Sequence, residues 1–401
     1  MLTSLALIFL LGLAMATLCQ RLRLPRIIGM LLTGVLLGPY ALGWLDPSIL
    51  AVSADLRKMA LVIILLKAGL TLDLSDLRRV GRPAMLMAFL PASFEILAVV
   101  LFAPRIFGIS RTEAAVMGAV LGAVSPAVVI PRMVQLMETG YGTDKRIPQL
   151  IMAGASCDDV FVIVLFSTFT GMAQGGSASA LDLLRIPVSI VLGVALGAAA
   201  GCALGLFFET AHARGHGVRN STKVIIVLGA SFLLMAAEDA LGGAVSGLLA
   251  VVSMACALRL RSPSAVSRRL SEKLGKLWIA AEVMLFVLVG AAVDIRYTLG
   301  AGLGALALLA ISLTFRAAGV GLCLLGTALT RRERAFCVIA YLPKATVQAA
   351  IGSVPLAMGL PCGQLVLSVA VLAILITAPL GALGMDATYK RLLRRQETPS
   401  P

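Results

Sequence analysis

Residues Ala153 to Phe166 read Ala-Gly-Ala-Ser-Cys-Asp-Asp-Val-Phe-Val-Ile-Val-Leu-Phe, and they place two carboxylates, Asp158 and Asp159, side by side within an apolar run from Ile147 to Met172. That run exceeds the roughly 20 residues a helix needs to cross a bilayer, so both acids fall near mid-membrane. An ionised carboxylate there is costly unless it is paired with a cation, kept neutral or opened to a water-filled cavity. Each of these states means handling a proton or an ion.

Composition sets the wider class. Of the 401 residues, 59% are hydrophobic and 13% charged, and mean hydropathy is +0.99, which excludes an ordinary soluble enzyme and identifies an all-α polytopic membrane protein. The net charge of +14 is spread among short loops rather than gathered on a soluble face with aromatic platforms, so the expected partner is the lipid bilayer and not nucleic acid. The seven cysteines, Cys19, Cys157, Cys202, Cys256, Cys323, Cys337 and Cys362, all lie in apolar runs. An odd number without framework spacing reads as small core residues rather than a disulfide scaffold. The first apolar run, Leu2 to Leu18, lacks a positive n-region and carries its charges on the far side, which makes it a span and not a secretory signal.

Apolar runs predict thirteen spans, at about 2–19, 27–43, 58–72, 83–103, 112–137, 147–172, 184–208, 222–241, 243–260, 277–293, 298–329, 335–358 and 362–388. Only short hydrophilic loops separate them. Most of the 34 Lys and Arg residues fall in the odd-numbered loops and the C-terminal tail. By the positive-inside rule this puts the C-terminus in the cytoplasm and the N-terminus outside.

Two spans carry interruptions. Span five holds Ser125-Pro126-Ala127-Val128-Val129-Ile130-Pro131 at its middle, and two prolines in one membrane helix leave backbone groups without intrahelical partners. Span twelve holds Tyr341-Leu342-Pro343-Lys344-Ala345-Thr346-Val347-Gln348, again a proline, here with a cation. Seven spans apart, the two cross in opposite directions. Paired interrupted helices in inverted positions point to a secondary transporter built from inverted repeats, with its site where the breaks meet. The repeat units would be spans four to six and eleven to thirteen, at about 83–172 and 298–388, forming a core bundle within a single transmembrane domain.

The remaining intramembrane charges fit one cluster. Glu95 is mid-span four and Arg316 mid-span eleven. With Asp158, Asp159 and Lys344 they make three acids against two bases, leaving one negative charge that a single proton or a single monovalent cation can meet. Mutually exclusive occupancy of one carboxylate is the chemistry of an exchanger. Neighbouring helical positions point about 100° apart, so the two aspartates cannot act as twins. Ser125 and Ser156 can lend oxygens to a cation, although serines in helices commonly bond to their own backbone. Lys344 suits the neutralisation of half-helix ends, and the Glu95 and Arg316 pair reads equally as architecture.

The run Gly122 to Pro131, the Ala-Ser-Cys-Asp-Asp-Val segment, Leu285 to Gly290 and Leu342 to Gly352 resemble the monovalent cation/proton antiporters. The likeness is greatest to the two-aspartate branch that includes the animal sodium/proton antiporters of the NHA type and their bacterial relatives. It covers nearly the whole chain, from span two through span thirteen. The resemblance implies a sodium/proton antiporter fold, with Asp159 as the cation and proton carrier and so the ligand of a monovalent metal ion. It implies that Asp158 pairs with the basic residue of span eleven, or that Arg316 pairs instead with Glu95 as in the animal-type subgroup. Many bacterial members have Lys where this chain has Arg316, and Arg does not release its proton usefully. A homodimer is also implied, with a core carrying the ion past a scaffold formed by the other helices.

Other features have plainer readings. Lys67, mid-span three, fits a crevice-lining or snorkelling side chain at least as well as a site role, and Glu282 fits an interfacial position. His212 and His216, four apart, lack a third ligand nearby and read as solvated loop residues or a mild pH sensor. Gly193, Gly197, Gly201 and Gly205 form a small-residue stripe for close helix packing, within or between subunits. An intramembrane aspartyl protease needs convergent carboxyl groups, which adjacent helical positions do not supply. A sodium-coupled symporter of an organic anion would need aromatic or amide groups at the span centres, and few are present. The expectation is therefore Na⁺ or Li⁺ exchange for H⁺, with K⁺/H⁺ exchange as the variant reading, in a bacterial-type inner membrane and without a resident cofactor.

Overall fold

A computed structural model describes residues 1–22, 24–71, 81–174, 180–214, 217–241 and 244–395, with side chains described there except at 156, 180–187, 239, 264, 265 and 299. Among the described residues every extended regular element is a helix. In chain order these are α1 (Leu2–Arg21), α2 (Arg26–Leu37), α3 (Pro47–Ala51), α4 (Ser53–Thr71), α5 (Arg82–Met87) and α6 (Leu90–Phe107). The chain continues with α7 (Arg111–Gly122), α8 (Pro126–Thr139), α9 (Ile147–Gln174), α10 (Ala180–Ala213), α11 (Asn220–Ala240) and α12 (Gly247–Arg261). It ends with α13 (Ser264–Ala291), α14 (Ile295–Cys323), α15 (Arg331–Ala340), α16 (Thr346–Gly352), α17 (Val354–Ala357) and α18 (Gly363–Leu392).

Helices lie in each of the apolar runs, one in most of them, two in series in spans four and five, and α15, α16 and α17 in span twelve. Nine such stretches among the described residues are long and apolar enough to cross a membrane, counting α5 with α6 and α7 with α8 as one each. The chain is a multi-pass membrane protein. The runs outside these nine have evident reasons. Helix α2 has 12 residues, α12 has 15, α4 carries Asp55, Arg57, Lys58 and Lys67, and span twelve is divided between α15 and α16.

The Cα positions cluster into two units, one made of 1–54, 73–162 and 285–401 and the other of 55–72 and 163–284. In the first, α6 packs against α7 and α14, and α18 lies against α15, α16 and α17. The interrupted spans five and twelve each begin with a capping box. Ser110 and Glu113 cap α7 reciprocally, and Thr330 and Glu333 do the same for α15, so two otherwise orphaned N–H groups at each start are satisfied.

In the second unit α10 and α12 pack along the glycine stripe. A Cβ on Gly193, Gly197 or Gly201 would lie 2.6, 2.1 or 2.3 Å from the carbonyl oxygens of Ser246, Ala250 and Met254. The two helices therefore run parallel with backbones in contact, and the stripe serves packing within one chain.

The breaks differ in detail from the expectation drawn from the prolines. In span five the helix stops at Gly122, passes through Ala123, Val124 and Ser125, with Ala123 and Ser125 in extended conformation, and restarts at Pro126. Pro126 occupies the first turn, where a missing N–H costs nothing, while Pro131 lies inside α8 without ending it. Span four also divides, at Ala88 and Phe89 between α5 and α6, with Pro91 in the first turn of α6.

Candidate functional site

The two breaks of the first unit meet. Between α7 and α8 the Ser125 N–H donates to the Pro343 carbonyl at 2.8 Å. One residue earlier, the Val124 N–H donates to Asp158 Oδ2 at 2.8 Å, which docks the middle of α9 onto the first break. In the second break the Lys344 N–H donates to Thr377 Oγ1 of α18 at 2.9 Å, and the Ala345 N–H to Gln348 Oε1 at 2.8 Å. These four donors of the two interruptions find partners, as buried backbone requires.

The orphan acceptors are met by the two cations. Lys344 Nζ donates to the Leu121 carbonyl, and Arg316 Nη1 to the Gly122 carbonyl, both at the C-terminal end of α7. Arg316 Nε donates to the Tyr341 carbonyl at 2.6 Å, at the C-terminal end of α15. Helix C-termini carry partial negative charge, and positive groups there are stabilising. Lys344 and Arg316 thus both place a positive group at these helix ends.

The same cations hold two of the three acids. Lys344 Nζ lies 2.8 Å from both oxygens of Glu95, and Arg316 Nη1 donates to Glu95 Oε2 at 2.8 Å. Arg316 Nη2 donates to Asp158 Oδ2 at 3.1 Å. The guanidinium stands over the Tyr341 ring, with 5.6 Å from its central carbon to the centroid. The alternatives of Asp158 or Glu95 as the Arg316 partner are both realised, because the planar fork of Arg presents donors in several directions. Glu95, Asp158, Arg316 and Lys344 are all fully buried.

Asp159 is different. It makes no ion pair among the described residues, and its Oδ1 is buried without a hydrogen-bond partner, while 8% of the residue remains accessible. Asp158 Oδ1 and Ser125 Oγ are also buried and unpartnered. Three orphaned oxygens, on residues tied to or adjacent to the crossing, are the hard donors that a small monovalent cation prefers. The side chain of Ser156 lies outside the described residues.

Lys67 and Glu282 belong to the second unit and are half-buried, and His212 is exposed near the end of α10. His216 is outside the described residues. Among the described residues no three His, Cys, Asp or Glu side chains gather as a metal site. Thr377, which holds the second break from α18, was not singled out from sequence. A threonine in an apolar helix carries no distinguishing signal until its partner across the fold is known.

The profile of a family described as sodium/hydrogen exchanger, transmembrane, matches residues 5–388. The chain is 34% identical over 386 residues to sodium/hydrogen exchanger 9B2 of Mus musculus, covering 93% of this chain and 69% of that protein. It is 33% identical over 365 residues to sodium/hydrogen exchanger 9B1 of Homo sapiens, covering 87% and 68% respectively. The fold is similar to that of the sodium proton antiporter MjNhaP1 from Methanocaldococcus jannaschii, with a TM-score of 0.80 at 20% identity and 98% of each chain covered.

Proposed function

Because the chain belongs to the family of transmembrane sodium/hydrogen exchangers, we propose that it is a secondary active antiporter exchanging Na⁺ or Li⁺ for H⁺, with Asp159 as the shared carrier. One observation carries the reading. Asp159 is the acid of the buried cluster for which the described residues supply no base, since Glu95 and Asp158 are held by Lys344 and Arg316. The net charge of the cluster is then balanced by one proton or one cation on Asp159, and neither can stay when the other arrives.

Bound cation would find oxygens on Asp159, Asp158 and Ser125, with Ser156 as a further candidate. A proton on Asp159 removes the charge that holds the cation, and release of that proton restores it. Exchange follows if the occupied carboxylate is exposed alternately to the two sides, as inverted repeats around broken helices allow. The transported ions are substrates, and no resident cofactor is needed.

The assembly in this reading is a homodimer in a bacterial-type inner membrane, N-terminus outside and C-terminus inside. The core bundle is drawn from about 83–172 and 298–388, with the other helices as scaffold. Reconstitution in proteoliposomes tests the function. Addition of Na⁺ or Li⁺ on one side should drive proton release from the other, and parallel K⁺ trials read the cation preference. No cation-dependent proton flux in either direction would sink the reading.

A further inference from the structure

We propose that Gln348 is a positioning residue of the exchange site: its amide ties the end of α7 to the start of α16 and so sets where Ser125 and Asp158 stand. The inference rests on the antiport reading above and adds a residue that touches neither ion.

Gln348 is fully buried. Its Oε1 accepts the Ala345 N–H at 2.8 Å. Its Nε2 donates to the Ala123 carbonyl at 2.7 Å and to the Leu121 carbonyl at 3.4 Å. One side chain thus spans both interruptions, with its acceptor on the second and its donors on the first. The stretch it grips continues directly into Val124, which holds Asp158, and Ser125, which holds Pro343. A hydrocarbon in its place would leave the Ala345 N–H and the Ala123 carbonyl buried without partners, which is more costly than the hydrogen bonds are worth individually.

The two breaks are satisfied by different chemistry. The first gives its Val124 donor to a carboxylate of the ion cluster. The second gives its donors to uncharged groups, Thr377 and Gln348. The donor hydrogen bonds of the second break therefore do not depend on the charge the aspartate pair carries. Through Gln348 the second break holds the end of α7 in register while Asp159 changes occupant.

A buried glutamine can also serve folding alone, and the test separates the two roles. The full chain is reconstituted as wild type, Gln348→Met and Gln348→Glu, and Na⁺-dependent proton flux is followed across pH, with apparent KM and maximal rate resolved. Gln348→Met should raise the apparent KM about tenfold, the loss of one to two buried hydrogen bonds, while changing the maximal rate less than about twofold. Gln348→Glu can donate to the Ala123 carbonyl only while protonated. Its KM should approach the wild-type value at the acid end and depart from it as pH rises, a divergence that a folding role would not produce. Wild-type KM in Gln348→Met, or a Gln348→Glu profile parallel to wild type, overturns the proposal. So does failure of both variants to reach the membrane folded, which would assign the amide to folding. If the wild type itself shows no exchange, the antiport reading has failed, and the two failures are thereby told apart.

Discussion

The Ser125 N–H and the Pro343 carbonyl, separated by most of the chain, share a 2.8 Å hydrogen bond at the point where two helices have been interrupted. Neither group could make that bond inside a continuous helix. The breaks are thus mutually satisfied, and the charged side chains around them are free to address the remaining dipole ends and each other.

Asp159→Asn should abolish cation-driven proton flux and leave the melting temperature of the purified protein unchanged or raised, since no ion pair is lost and a buried charge is removed. Asp158→Asn should impair flux strongly and lower the melting temperature. Its amide can still accept from Val124 but no longer balances Arg316. Wild-type flux in Asp159→Asn would refute the carrier assignment.

Arg316→Lys keeps the charge but cannot reach Glu95, Asp158 and the Gly122 and Tyr341 carbonyls together, as the guanidinium does. A loss on the order of 3 kcal/mol is expected, in the range for breaking a buried ion pair. The folded yield and detergent melting curve would show it. Undiminished stability with altered voltage dependence of transport would instead give Arg316 a part in stoichiometry.

Gly197→Leu should destabilise the protein by about 1–3 kcal/mol or more through overpacking, because a Cβ there meets the Ala250 carbonyl. Gly229→Ala, where a Cβ meets nothing within 4 Å, is the control. Equal melting temperatures for the two would argue against the α10 and α12 contact.

Glu333 lies at the cap of α15, ahead of the apolar run. Burial pushes its carboxyl pKa up, but Lys145 Nζ at 2.8 Å and the N–H and hydroxyl of Thr330 outweigh this, and the net shift is downward. A depressed carboxyl pKa adds stability above its unfolded value of about 4.3, and that stability is lost as pH falls through the folded value. Glu333→Gln should therefore flatten the acid limb of the stability curve and have least effect below it. An unchanged acid limb would refute the pairing.

Legibility varied with the range of the physics. Transfer of apolar side chains into lipid is a local property, so the apolar runs hold helices, and nine stretches among the described residues are long and apolar enough to cross a membrane. The prolines marked the two main breaks, yet the first break falls before Pro126 and not between the prolines, because a proline in a first turn removes a donor that had no partner. The capping boxes Ser110 to Glu113 and Thr330 to Glu333 were present as the pattern Ser/Thr-x-x-Glu and would have marked where both broken helices start. The division between α5 and α6 had only Pro91 to announce it.

By itself the sequence determined that this is a helical membrane protein with two interrupted helices and both acidic and basic side chains at mid-membrane, since each follows from residue chemistry along a short stretch. Only the tertiary structure decided which acid lacks a base, that Arg316 serves Glu95 and Asp158 at once, and that the glycine stripe packs within the chain. Adjacent aspartates are alike in composition and differ only in the direction a helix turns them. What they meet there belongs to residues far away in the chain, brought near by folding.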